Sequence, residues 1–267
     1  MGWQIKLTHG KIPLGGFMAK QRRLSRKEKR RVEREQDHMM GILNQKFAMR
    51  KINPLTPSQS DLFDSYKQGY NLAAIGTAGT GKTMCATYLA LNDVLQKGEY
   101  EKVVIIRSAV QTREQGFMPG SQAQKEAVFE APYTDIVNEL FQRKDAYQVL
   151  KTKGMIEFKT SSFVRGLTFD NAVIIVDECQ SMTYHELDSI ITRVGESSKI
   201  VFCGDTKQDD LATSRNRADI TGLHDFLKVL YAIPSFDVVR FGINDIVRSG
   251  LVKEYIMAKE QILEDVA

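Results

Sequence analysis

The chain has 267 residues, 42% of them apolar and 26% charged, with a formal net charge of +4. That length permits a sizeable core and at most about two domains, while no apolar run approaches the ~18 residues of a membrane span. The opening MGWQIKLTHGK lacks the apolar middle of a signal peptide, so a cytoplasmic protein without membrane partners is expected. Cys85, Cys179 and Cys203 are far apart and without metal-ligand spacing, which fits reduced thiols rather than a disulfide or a zinc site.

Positive charge is concentrated near the start. The stretch AKQRRLSRKEKRRVEREQ, residues 19–36, holds nine Lys or Arg against three Glu, leaving the rest of the chain about −2. A basic helical arm on a near-neutral body suits a polyanion such as RNA or single-stranded DNA, although a solvated helix that aids solubility has the same composition. The arm begins one residue after Met18, which makes residues 1–17 a candidate upstream extension. The expected division is an arm over 1–53 and a second domain over 54–267.

Pro54 ends a weakly helical stretch, and TPSQSD then offers Ser58 as the cap of a short helix. From there strand-like apolar runs at 72–75, 103–106, 155–158, 173–176, 200–203 and 236–241 alternate with helical patterns such as 83–96, 133–140 and 185–194. Such alternation predicts an α/β fold with a mostly parallel sheet sandwiched by helices.

Directly after the first run stands GTAGTGKT, Gly76 to Thr83, which fits the phosphate-binding loop pattern of P-loop NTPases with a strand before it and a helix after. Its glycines let successive N–H groups of Thr77, Ala78, Gly79, Thr80, Gly81, Lys82, Thr83 and Met84 turn toward a nucleotide. Lys82 is expected to reach the β and γ phosphates and Thr83 to offer its hydroxyl to Mg²⁺.

The run VIIV at 173–176 ends on Asp177 and Glu178. A strand must leave the core somewhere, but charge at a buried edge is costly unless something neutralises it. Bound Mg²⁺ and nucleotide would do so for Asp177, with Glu178 placed to polarise the attacking water. The next strand ends on GDTKQ, so two neighbouring strand ends should converge on one crevice, with Gln180 and Gln208 as candidates to sense the γ phosphate or the water. Gly-Asp-Thr is also ordinary turn chemistry.

Taken in order, TPSQ, GTAGTGKT, IRSAV, GFMPG, FVRGLTFDNAVIIVDECQ, ITRVG, GDTKQDDL and DVVRFGINDIVRSGLV resemble the PhoH family of cytosolic and phage ATPases, over residues 54 to about 260. Gln59, GTAGTGKT, DECQ and GDTKQ are also similar to superfamily one helicase motifs. The resemblance implies a RecA-like fold, Mg²⁺-dependent ATP hydrolysis and helicase-like coupling to RNA or single-stranded DNA. It also places Gln59 at the adenine edge, a contact that would favour ATP over GTP. The nuclease domain fused to some members has no counterpart, so ribonuclease activity is not expected. Cys179 stands where many members have Ala. A single lobe lacks the arginine that a second lobe supplies in those helicases, so a homo-oligomer, up to a hexameric ring, could provide Arg193, Arg240 or Arg248 in trans. Arg248 is favoured because it opens a late helix from which it could project toward a partner. Each of the three could equally be a salt-bridging surface residue. A nucleotide switch or kinase-like P-loop protein, and a nucleic-acid-binding accessory with a structural P-loop, are the competing readings.

Overall fold

Six short runs, most of them largely apolar, form the six strands of one sheet: β1 (Asn71–Gly76), β2 (Lys102–Arg107), β3 (Ile156–Thr160), β4 (Ala172–Asp177), β5 (Lys199–Gly204) and β6 (Phe236–Phe241). The computed structural model describes residues 48–108, 122–205 and 222–264. Every strand pairing is parallel, and the order across the sheet is β3-β2-β4-β5-β1-β6. β5 therefore stands between β1, which leads into the glycine-rich loop, and β4, which ends on the paired acids.

Alternation along the strands sends side chains to two cores. Leu72, Ala74, Val103, Ile105, Val173, Ile175 and Val201 face one side, where they meet helices α1 (Pro57–Lys67), α2 (Lys82–Asn92), α3 (Gln122–Phe141) and α4 (Ala146–Thr152). Ala73, Ile75, Val104, Ile106, Ile174, Val176 and Phe202 face the other, against α5 (Tyr184–Ile191) and α6 (Leu223–Tyr231). Each such Ile or Val contributes about 2 kcal/mol by leaving water. The result is a RecA-like α/β sandwich, as the strand–helix alternation anticipates. Helix α7 (Gly250–Glu264) follows β6 and leaves Leu251 and Tyr255 exposed.

Three elements differ from expectation in instructive ways. The cap of α1 is Thr56, whose side chain accepts from Gln59 N, and not Ser58. Pro57 takes the first helical position, where its missing N–H costs nothing, and the residue before it is driven into the extended conformation a cap needs. The expected helix at 133–140 starts much earlier, at Gln122, and runs through Pro132. Helix α2 stops at Asn92, and the remaining turn to Lys97 is a π-helix. Residues 48–53 already belong to the body: Met49 and Ile52 pack on the first core and Arg50 N donates to Leu140 O. The basic arm lies outside the described residues. Among those described, no helix is long and apolar enough to cross a membrane.

Candidate nucleotide-binding site

The glycine-rich loop is locked to the edge of the sheet before it turns. Thr77 N donates to Phe241 O at 3.0 Å, and a Cβ on Gly76 would overlap that carbonyl, so only glycine lets β6 close on β1 here. Past it, Gly79 takes a left-handed φ of +75°, a conformation that allows the following amides to turn toward an anion. Thr80 is fully buried, with its hydroxyl donating to Thr77 O at 2.9 Å. Lys82 closes the crown: its ammonium donates to Gly76 O and Thr77 O, both at 2.8 Å, and to Thr80 Oγ1 at 3.3 Å. Burial pushes that ammonium down from its ordinary value, opposed by nearby groups that include Cys203, Asp205 and Asp177. A buried cation held by three neutral oxygens is poised to exchange them for phosphate.

Gln59 braces this loop from outside. Its Nε2 donates to Thr80 O at 2.9 Å while its Oε1 accepts from Leu55 N at 2.8 Å, and the residue is 3% exposed. Two of the four hydrogen-bonding positions of its amide are thus engaged in holding the loop. Ala78 and Gly81 are half-buried, and Met84 packs partly against the first core.

Opposite the loop, Thr83 Oγ1 donates to Asp177 Oδ1 at 2.8 Å, and the Tyr133 hydroxyl donates to Asp177 Oδ2 at 2.8 Å. Burial pushes the Asp177 carboxyl up and Glu178 adds to this, while those two hydrogen bonds and the charge of Arg107 oppose it. A hydroxyl and a buried carboxylate side by side are a donor set that fits Mg²⁺ beside a triphosphate. Tyr133 and Arg107 escaped sequence reasoning. Arg107 ends β2 in register with Asp177, which its place in IRSAV hints at, whereas a tyrosine on a helix carries no local signal.

Glu178 adopts a left-handed backbone, φ 52° and ψ 41°, an uncommon state that swings it off the strand direction. Its Oε2 accepts from Gln180 Nε2, and Gln180 Oε1 accepts from Asp205 N at 3.0 Å. The ends of β4 and β5 are thereby tied, as their shared polar exits suggest, but Gln180 is occupied with holding Glu178. Gln208 lies outside the described residues. Cys179 is fully buried with its sulfur against Gly204.

The three arginines fall in different places. Arg193 follows α5 at the amino-end rim of the sheet, its N donating to Ile190 O and its carbonyl accepting from Phe169 N. That rim is the one opposite the loop. Arg240 donates to the Tyr231 hydroxyl at 3.1 and 2.7 Å. Arg248 does not project away: Cγ of its side chain lies 2.8 Å from where a Cβ on Gly79 would stand, on its own glycine-rich loop.

A family model described as PhoH-like protein matches residues 51–260. The chain belongs to the PhoH family. Its relatives include the PhoH-like protein of Bacillus subtilis (strain 168), 30% identical over 213 residues that make up 79% of this chain and 65% of that protein. Protein PhoH of Escherichia coli (strain K12) is 33% identical over 187 residues, 69% of this chain and 51% of that one. The PhoH-like protein of Mycobacterium leprae (strain TN) is 31% identical over 78% of this chain and 58% of its own length. This PhoH-family chain thus spans about half to two thirds of the curated relatives it matches. Among solved structures it is similar to the Sulfolobus solfataricus SWI2/SNF2 ATPase core in complex with dsDNA, at 14% identity and a TM-score of 0.42, over 76% of this chain and 48% of that one.

The Tyr133 contact is testable by removing one oxygen. Tyr133→Phe keeps the ring in its buried slot but frees Asp177 Oδ2 to wander, and loss of such an orienting partner typically weakens a metal by about 10- to 100-fold. Titrating Mg²⁺ at fixed ATP should show that shift in the half-saturating concentration with the melting temperature little changed. An unaltered Mg²⁺ dependence would make the contact structural only.

Proposed function

We propose that this chain binds ATP with Mg²⁺ and hydrolyses it, and that hydrolysis is coupled to RNA or single-stranded DNA in the cytoplasm. The observation that carries the reading is the pairing of Thr83 with Asp177, 2.8 Å apart, beside a lysine-closed glycine-rich loop and next to Glu178, whose backbone is left-handed. Lys82 would meet the phosphate oxygens, the amides of Gly79 to Thr83 would hold them, and Gln59 would keep the loop in shape and meet the adenine edge. Magnesium, held by Thr83 and Asp177, would offset phosphate charge in the reaction. Glu178, oriented by Gln180, would take the proton of the attacking water.

Nucleic-acid coupling draws support from the basic arm and from the loop after β3. There Phe163 is 53% exposed and Arg165, two residues on, is exposed too, an aromatic ring and a cation of the kinds that single strands stack on and pair with. The same loop reaches the catalytic side, because Ser161 Oγ donates to Glu186 Oε1 at 2.7 Å on the helix that follows Gln180. A homo-oligomer, up to a hexameric ring, with Arg193 or Arg240 offered across an interface, completes the proposal.

Steady-state ATP turnover with and without single-stranded RNA or DNA, on a sample whose mass is known from light scattering, tests the reading. Stimulation is expected, and a structural P-loop would give no turnover at all. Removing residues 1–36 should spare ATP binding but weaken nucleic-acid binding and flatten its salt dependence. Each phosphate neutralised contributes about 0.7 of a unit of log–log slope on a single strand, so a drop of several units is expected. An unchanged slope would reduce the arm to a solubility device.

A further inference from the structure

We propose that Arg248 serves in cis, its guanidinium contacting the phosphates of a nucleotide held by the P-loop of its own chain. The inference rests on the reading of that loop as a nucleotide site.

The segment after β6 doubles back over the loop and is fastened at both ends. At its base a 3₁₀ turn, Ile243–Asp245, is set by Asp245, whose Oδ2 accepts from Gly242 N at 2.9 Å and from Ser58 Oγ at 2.8 Å. Burial acts to raise the Asp245 carboxyl, but hydrogen bonds from Thr56, Gly242 and Ser58 outweigh it and hold the carboxyl below its ordinary value, charged at neutral pH. At its tip Val247 N donates to Gly79 O at 3.1 Å, and Val247 Cγ2 stands 3.6 Å from a Cβ placed on Gly81. Val247 therefore lies on two glycines of the phosphate loop.

Arg248 follows directly, and the absence of a side chain at Gly79 is what admits it. Its Cγ, Nε and Cδ lie 2.8, 3.6 and 3.8 Å from a Cβ placed there. The aliphatic stem is thus laid along Gly79, and the residue as a whole is exposed. Gly79 opens the run of amides that receives the phosphates, so the planar head of Arg248, free to pivot past the glycine, is within a side-chain swing of them. A guanidinium there matches phosphate oxygens in charge and in the spacing of its paired donors. An arginine meant for a neighbouring subunit would instead need its stem directed away from its own loop.

The test is equilibrium binding of ATP and ADP, together with turnover, for Arg248→Ala, Arg248→Lys and Lys82→Ala, with thermal melting as a check on folding. Arg248→Ala should bind ATP about tenfold or more weakly and turn over slowly, with partial recovery in Arg248→Lys. An equimolar mixture of Arg248→Ala with Glu178→Gln should show no more activity than its components, because acid and arginine must share one chain. Recovery of activity in the mixture would overturn the proposal in favour of an arginine acting across an interface. Parental binding and turnover by Arg248→Ala would overturn it as well. If instead the parent and Lys82→Ala bind ATP alike, the loop itself is not the nucleotide site and both readings fall together.

Discussion

Glu178→Gln is expected to bind ATP as the parent does and to lose about 10² to 10⁴ of its turnover, the usual contribution of a positioned general base. The substitution removes a proton acceptor while keeping size, and Gln180 Nε2 can still donate to the amide oxygen that replaces Oε2. Backbone demand at the position is unchanged, since the left-handed φ of 52° bears equally on Glu and Gln. Lys82→Ala should show the converse pattern. Its ammonium is the group that closes the loop, through Gly76 O, Thr77 O and Thr80 Oγ1, and its loss should appear first in triphosphate affinity. Nucleotide binding and single-turnover hydrolysis, measured for both variants, separate cradling from water activation. Parental turnover in Glu178→Gln would remove Glu178 from the role of base.

Gly76→Ala is the second large expected effect, and it acts on the fold. In register, Gly76 lies opposite Phe241 at the end of the β1–β6 pair. An added Cβ would overlap the Phe241 carbonyl and stand 2.8 and 2.9 Å from its C and N, all backbone atoms that cannot swing aside. β6 would have to retreat, breaking the Thr77 N–Phe241 O bond and loosening the segment that carries Val247 and Arg248. Overpacking and a strained φ of +136° together should cost roughly 3 kcal/mol or more, about 10 °C in melting temperature for a domain of this size. Gly69→Ala is the matched control, because φ is +95° there but nothing lies within 4 Å. Should the two variants melt within a few degrees of each other, the close approach of β6 is not what demands glycine.

How much of this was legible beforehand depended on the range of the interactions involved. Val173–Val176 reads as a doubly covered strand because burial on both faces removes the polar half of the alternation, and the residues indeed lie fully buried. The phosphate loop is legible for a related reason, since its function resides in backbone geometry that glycines announce locally. Side-chain partners brought together by the fold leave no such trace. Nothing in the sequence couples Tyr133 to Asp177 or Ser58 to Asp245, separated by 44 and 187 residues. Arg248 was legible as a candidate but not in its direction, because the return of the chain after β6 is set by Asp245 and Val247 meeting partners on α1 and on the loop. The expected helix at 133–140 is only the last part of α3, which begins at Gln122 and continues through Pro132.

The three cysteines have a practical consequence. Cys85, Cys179 and Cys203 are all buried beside the central strands, at 4%, 0% and 1% exposure. Burial pushes each thiol up, that of Cys85 to about 12, so at pH 8 hardly any thiolate exists to react even where a reagent could reach it. An alkylating reagent therefore has to wait for the sheet to open, and the rate of modification becomes a clock for that opening. Any ligand that binds only the closed sheet slows the clock by a factor of 1 + [L]/Kd, so native thiols in the parent sequence, with no label added, weigh the grip of a nucleotide without a catalytic turn.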